Sequence, residues 1–329
     1  LIDAAIVGLG RWGMSLVSAV HERSERIRFV RGVEPRPSSA ASALLGPHLK
    51  FAGSLEEVLH DPAVDAVVLA TPHSLHREQV LRCAEAGKPV FCEKPLALAA
   101  ADAQAMILGC RQRDVVLGVG HNRRFWPSIV ELKRLARSGE LGELLHIEGH
   151  NSNENSDAVL EGWRTSPDES PGGGLTGAGL HVLDVFTALL GPVARVQAQM
   201  VERAPGPPPR DTVAAIYRFM NGMSGVLATV RATPFYWRIH LFGANGSAEV
   251  TGENEVVVRK SGSAALHVRL PGVDSLRAEL EAFADAVEHG TPFPVSGEEM
   301  LATVRAFEGT VRALRTGEAV CLSLQHRGR

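Results

Sequence analysis

Three sets of residues in this chain have the types and spacing to do chemistry. The first is Gly8-Leu9-Gly10-Arg11-Trp12-Gly13, which follows a short apolar run and opens a helical pattern over 14–22. In a strand, glycine turn and helix of this kind, the first glycine permits the tight turn. The second lets a pyrophosphate approach bare backbone, and the third lets the helix pack close to the strand. All six residues are candidates to hold a dinucleotide. The spacing alone is weak, and its context decides. A second strand, over 27–33, ends in Glu34, 21 positions past Gly13, where a carboxylate can accept from both adenosine ribose hydroxyls. That favours NAD, because a carboxylate repels a 2′-phosphate. Arg36 could pair with that phosphate, so NADP stays open. A tight turn that holds no ligand is the alternative.

The second set sits at strand ends, outside which ligands bind in open α/β sheets. A strand over 66–70 is followed by Thr71, Pro72, His73, Ser74 and His76. A strand over 89–92 is followed by Glu93-Lys94-Pro95, and one over 115–119 by His121-Asn122-Arg123-Arg124-Phe125. Lys94, beside a cofactor cleft, could exchange a proton with a hydroxyl or carbonyl while hydride passes to or from a nicotinamide. Desolvation and the nicotinamide cation would bring its pKa toward working pH. A solvated surface lysine is the plainer reading. His73 and His76 can donate to a cofactor or cap the helix that starts near Ser74. Asn122, Arg123 and Arg124 are candidates at the substrate mouth.

The third set is His181 and Asp184, three apart on one face of a helical pattern over 180–190. His181 could hold a substrate oxygen or share a proton relay. Asp184 could orient it, bind a substrate hydroxyl, or serve as a helix N-terminal charge.

The elements that must position these residues divide the chain in two. Residues 1–125 alternate strand and helix, with helices expected over 38–45, 54–60, 74–86 and 99–113. This implies a doubly wound parallel sheet with right-handed crossovers. A helix over 128–138 opens the second part, 126–329. Alternating segments follow at 144–151, 194–202, 212–219, 223–231, 238–242, 247–251, 255–259 and 265–270, which imply a large, mostly antiparallel sheet. Amphipathic helices are expected over 275–288 and 298–316. Residues 204–210 (APGPPPR) suit a stiff exposed loop better than a peptide-recognition ligand. The polar run 151–157 could bond a polyol or be only a loop. An antiparallel sheet with one face on its helices leaves the other to cover, which a homodimer or homotetramer packed through that sheet would do.

With 329 residues, 45% hydrophobic and 22% charged, the chain is long enough for two soluble domains. A net charge of −3 gives no reason to expect nucleic acid or an anionic membrane as partner. No apolar stretch approaches a membrane span, and the first strand begins at once, so a cytoplasmic protein is expected. Cys83, Cys92, Cys110 and Cys321 form no CxxC, and no His or Cys cluster has metal-ligand spacing, so free thiols and no metal are expected.

The chain resembles the Gfo/Idh/MocA oxidoreductases, named for glucose–fructose oxidoreductase, inositol dehydrogenase and a rhizopine-catabolism protein. The resemblance spans essentially the whole length. It rests on the 8–13 turn, Ala70-Thr71-Pro72-His73-Ser74-Leu75-His76, Glu93-Lys94-Pro95, Arg124-Phe125, Trp163-Arg164, and Gly172-Gly173-Gly174 followed by Gly179-Leu180-His181-Val182-Leu183-Asp184. It implies a Rossmann domain, a second α/β domain with a large open sheet, and NAD(P)-dependent chemistry on sugars, polyols or their relatives. It implies a catalytic Lys94 beside a cis peptide at Pro95. It also implies that Thr71, Pro72, His73, His76 and Glu93 lie near the cofactor, and that Trp163 and Arg164 reach it from the second domain. Dehydrogenases of the family carry an aspartate four residues before the histidine, where this chain has Gly177; Thr176 is a candidate hydroxyl substitute. Because the family includes non-enzymatic members, a cofactor-binding sensor that has lost turnover is the alternative to a dehydrogenase.

Overall fold

The computed structural model describes residues 1–34, 49–153, 162–202, 211–231 and 233–322. Arg36, the helix expected over 38–45, residues 154–157 and the 204–210 loop lie outside them. The chain forms two compact units, residues 1–122 with 274–300, and residues 123–273 with 301–329. The sequence reading assigns all of 126–329 to the second domain. The structure groups 274–300 with the first unit, because an apolar helix stripe there completes that unit's core.

The first unit holds a six-stranded parallel sheet, in the order β3-β2-β1-β4-β5-β6. Its strands are β1 (Ile2–Val7), β2 (Ile27–Val33), β3 (Lys50–Ala52), β4 (Ala66–Leu69), β5 (Val90–Glu93) and β6 (Leu117–Gly120). The short edge strand β3 is absent from the sequence reading, since three residues carry too little pattern. The strand order reverses between β1 and β4, where such sheets bind ligands. Strands β4 and β5 are buried at every position, as the continuous apolar runs require of strands covered on both faces. Helices α1 (Arg11–Val20), α2 (Leu55–Leu59), α3 (His76–Glu85) and α4 (Ala100–Gln112) connect the strands. A 3-10 turn, His73–Leu75, precedes α3, so the helix begins two residues later than the sequence suggests.

In the second unit come α5 (Pro127–Ser138), β7 (Leu144–Asn153), a π-helical turn (Leu175–Gly179), α6 (Leu180–Leu190), and β8 (Val193–Glu202) to β9 (Asp211–Phe219). Strands β10 (Ser224–Arg231), β11 (Tyr236–Gly243), β12 (Gly246–Thr251), β13 (Glu255–Lys260) and β14 (Leu266–Arg269) follow. The chain then enters α7 (Ser275–His289) of the first unit and ends with α8 (Gly297–Thr316) and β15 (Val320–Cys321). The nine-stranded sheet runs β14-β13-β12-β11-β7-β10-β9-β8-β15, antiparallel except for the β7–β10 pair.

Each core follows from simple periodicity. Leu280, Phe283 and Ala284 of α7 pack with Ile2, Ile6, Leu16, Val17, Ile27 and Phe91 in the first unit. Truncating a buried phenylalanine such as Phe283 costs about 3–5 kcal/mol. In the second unit, α6 lies against β7 at Gly149, where a Cβ would sit 2.3 Å from Val182 Cγ1. On β9, Val213, Ala215, Tyr217 and Phe219 are buried while Ala214, Ile216 and Arg218 are exposed, so one sheet face carries the core. Among the described residues, no helix is long and apolar enough to cross a membrane.

Candidate active site

In the first unit the glycine turn is built as its spacing predicts. Gly8 has φ +91° and would press a Cβ to 2.6 Å from the Ala70 carbonyl oxygen. A Cβ on Gly13 would lie 2.0 Å from the Gly8 carbonyl oxygen, so only glycine lets α1 start this close to β1. Gly10 is different: a Cβ there meets nothing within 4 Å. The space over Gly10 is therefore open, at the N-terminus of a helix whose first donors face it. Glu34 stands at the end of β2, and its Oε2 accepts from the Leu9 N–H at 2.9 Å. An open backbone cradle with a carboxylate at the ribose position fits NAD.

The next strand ends along the same edge are tied together by His76. This side chain is completely buried. Its Nδ1 lies 2.9 Å from the Pro95 carbonyl oxygen and its Nε2 3.1 Å from that of Thr71. His76 therefore holds the segment after β4 to the segment after β5. Thr71 Oγ1 donates to Gln79 Oε1 at 2.6 Å. Half-buried His73 meets His76 edge to face, with ring centroids 5.7 Å apart. Glu93 is buried, and its Oε2 accepts from the Lys94 N–H at 3.1 Å. The Lys94–Pro95 peptide is cis, as the family resemblance implies. Asn122 Nδ2 donates to Ser275 Oγ at 3.1 Å, a partner the sequence reading did not foresee.

In the second unit the Gly172-Gly173-Gly174 turn is pinned by Asp211. The Gly174 N–H donates to Asp211 Oδ1 at 3.0 Å, and a Cβ on Gly173, at φ +55°, would lie 2.6 Å from Oδ2. Arg231 Nε lies 3.2 Å from the same carboxylate. Burial lowers the Arg231 pKa, and Asp211 opposes that shift. The turn leads into the π-helical Leu175–Gly179, a geometry often found at functional sites. Asn151 Nδ2 donates to the Ala178 carbonyl at 2.8 Å and holds this turn to β7. Thr176 Oγ1 accepts from the Gly172 N–H, and the side chain is buried.

His181 stands in the first turn of α6 and is buried. Asp184, one turn on, takes two hydrogen bonds from Arg124, Nε at 2.8 Å and Nη2 at 2.7 Å. Thr303 Oγ1 donates to Asp184 Oδ1 at 3.3 Å. Arg124, expected at the substrate mouth, thus has two of its donors directed at protein. Arg123 is a packing cation: its Cζ lies 4.2 Å from the Trp237 ring centroid and 4.9 Å from that of Trp126. Burial brings its pKa down to about 9. Trp163 is half-buried in a 3-10 turn, while the Arg164 side chain lies outside the described part. Asp211 and Thr303 were not legible as site residues, because nothing in their local sequence distinguishes them, whereas Asn151 opens the polar run 151–157. Among the described residues, no group of three or more His, Cys, Asp or Glu could hold a metal ion.

Residues 2–121 match the family model for the oxidoreductase family with NAD-binding Rossmann fold, and residues 129–249 match the GFO/IDH/MocA C-terminal domain. The chain belongs to the Gfo/Idh/MocA oxidoreductase family. It is 31% identical to myo-inositol 2-dehydrogenase of Thermotoga maritima, over 89% of this chain and 90% of that protein. It is 29% identical to 1,5-anhydro-D-fructose reductase of Ensifer adhaerens, over 82% and 83% of the two chains. The fold superposes on levoglucosan dehydrogenase in complex with NADH and levoglucosan, with a TM-score of 0.86, 22% identity and coverage of 97% and 98%. The chain is an NAD-dependent oxidoreductase with a Rossmann domain and a mostly antiparallel second sheet.

Proposed function

We propose that this Gfo/Idh/MocA oxidoreductase interconverts a hydroxyl and a carbonyl on a sugar, polyol or related small molecule, with Lys94 as general acid/base. The observation that carries this reading is the position of Lys94. It follows β5 on the same carboxyl edge of the parallel sheet as the glycine turn after β1, with only β4 between them. The activities of the inositol dehydrogenase and anhydrofructose reductase relatives point to the substrate class.

NAD, when bound, supplies the hydride acceptor or donor. The turn at Gly8, Leu9, Gly10, Arg11, Trp12 and Gly13 would hold its pyrophosphate and Glu34 its ribose, with Thr71, Pro72, His73, Glu93, Trp163 and Arg164 around it. Lys94 Nζ, neutral, takes the hydroxyl proton as the carbonyl forms, and as ammonium returns it in the reverse direction. His181 holds the substrate oxygen. Arg124 and Asp184 act through the position they give His181, and Asn122 lines the substrate side. His76 acts by holding the segment after Lys94.

Titration with NADH and NADPH, followed by fluorescence, then turnover on a panel of polyols and sugars, tests the reading. We expect tighter NADH binding and turnover that falls about 10²–10⁴-fold in Lys94→Ala with NADH affinity unchanged. Full activity in Lys94→Ala would remove the assigned role. One observation favours the second reading, a cofactor-binding sensor: the family's carboxylate position is Gly177, with open space around it. Activity gained in Gly177→Asp from an inactive parent would select that reading.

We also propose a homodimer or homotetramer packed through the outer face of the nine-stranded sheet. That face exposes Val201, Ile216 and Val226 beside a network in which Arg238 pairs with Glu148 and Glu249. Light scattering of the purified protein and of Ile216→Lys would test it, a monomeric parent refuting it. Three buried thiols, Cys83, Cys92 and Cys110, suit a reducing cytoplasm.

A further inference from the structure

The outer face of the nine-stranded sheet carries a row of ionisable residues that the chemistry above does not use. Along β11, Trp237, Ile239 and Leu241 are buried on the side where Gly149 of β7 meets α6. Arg238, His240 and Phe242 therefore stand on the outer side. In the strand register His240 lies between Glu148 of β7 and Glu249 of β12. The same row continues through Val226 to Ile216, two of the exposed apolar residues of this face.

Arg238 ties the row together. Its Nε donates to Glu249 Oε1 at 2.7 Å and its Nη1 to Glu148 Oε2 at 2.9 Å. Its Nη2 lies 2.9 Å from His240 Nδ1. A guanidinium can only donate, so Nδ1 must offer a lone pair and the ring proton sits on Nε2. That N–H donates to Ser247 Oγ at 2.9 Å. Both ring nitrogens are thus satisfied in the neutral imidazole. A second proton would turn Nδ1 from an acceptor into a donor aimed at a cation. Arg259 Nη2 meets Glu249 Oε2 at 2.8 Å, so two carboxylates and two guanidiniums balance across the row. A balanced row can face a copy of itself without net like-charge repulsion.

We propose that His240 is an acid-sensitive lock on the contact between two copies of this chain. Protonation of the ring repels the Arg238 guanidinium, releases it from the row and leaves one net positive charge on each face. The copies then separate. This lock rests on the sheet-packed assembly proposed above. Beneath a second copy, a charged ring can neither reach water nor push Arg238 aside, so the assembled form binds the proton less well. Burial already lowers the His240 pKa in the single chain; Glu249 opposes this, Arg238 and Arg259 add to it, and Glu148 opposes it. The remaining ionisable groups of the adjoining strands are on β7 and β11. His150 meets the Tyr236 ring at 5.5 Å between centroids, and its pKa is lowered by burial and then by Arg238. His146 Nδ1 lies 2.7 Å from Ser224 Oγ. Neither touches Arg238 by a hydrogen bond, which singles out His240.

Sedimentation equilibrium of the parent and of His240→Asn, between about pH 8 and 5, tests the lock. The asparagine oxygen can accept from Arg238 but takes no proton. Each protomer takes up one proton on separating. The parent's dissociation constant should therefore rise as pH falls below about 6.5, approaching about a hundredfold per pH unit. His146 and His150 are present in both proteins, so the parent-to-variant ratio isolates His240 and should rise as pH falls. A ratio independent of pH would overturn the proposal. If the variant does not assemble, the His240 ring resonance decides. Its titration midpoint should lie lower in the assembled parent than in Ile216→Lys, and equal midpoints would overturn the lock. A dimer whose dissociation ignores pH removes the lock alone, whereas a parent monomeric throughout removes the assembly with it.

Discussion

The guanidinium of Arg124 grips the carboxylate of Asp184 at two points, 2.8 and 2.7 Å, with 6% and 2% of the side chains exposed. A buried pair of this geometry is satisfied as a unit, and removing one partner leaves the other charge out of water. We expect Arg124→Met and Asp184→Asn each to lose about 3–5 kcal/mol in urea unfolding. The double replacement by apolar residues should cost much less than the sum, because no charge is left stranded. Additive losses would show that the two side chains act independently.

Gly10 and Gly13 lie in one turn but answer to different constraints. Gly13 has no room for a methyl group, so Gly13→Ala should destabilise by about 1–3 kcal/mol or more through overpacking. Gly10 has room, so Gly10→Ala should fold with an unchanged melting temperature. Its methyl group would nevertheless stand where a pyrophosphate approaches. Loss of one charge-assisted hydrogen bond, about 1.5–3 kcal/mol, should weaken NADH roughly ten- to a hundredfold. Unchanged NADH affinity in Gly10→Ala would remove the turn from the cofactor site.

A side chain has room at Gly177. Its φ lies outside the left-handed region, and a Cβ meets nothing within 4 Å. Gly177→Asp should therefore fold with stability within about 1 kcal/mol of the parent, since glycine itself is the poorer helix former. A large loss in thermal unfolding would mean that the π-helical turn needs glycine for a reason its geometry does not reveal.

The thiols should separate by burial. Burial pushes the Cys83 thiol up to about 12 and Cys110 up to about 11, and raises Cys92 well above its usual range. Cys321 is exposed. At pH 8 a disulfide reagent should titrate one thiol quickly in the folded protein and all four after denaturation. Replacing Cys321 by serine should abolish the fast phase. A fast phase from two or more thiols would show that the α3–β5–α4 region opens readily.

What was legible in the sequence was local. The glycine turn, the apolar runs that become β4 and β5, the strand ends carrying Thr71, Glu93 and Lys94, and the α6 bounds around His181 follow from spacing and period within short windows. Steric and periodic rules act at that range, so one stretch suffices to read them. Other features join residues far apart in the chain. Asp184 meets Arg124 across 60 positions, and Gly174 meets Asp211 across 37. Asn122 meets Ser275 across 153 positions, because α7 packs into the core of the first unit. Only the tertiary structure decided these, since a charge finds its partner, and an acid its burial, through packing that no short stretch of sequence encodes.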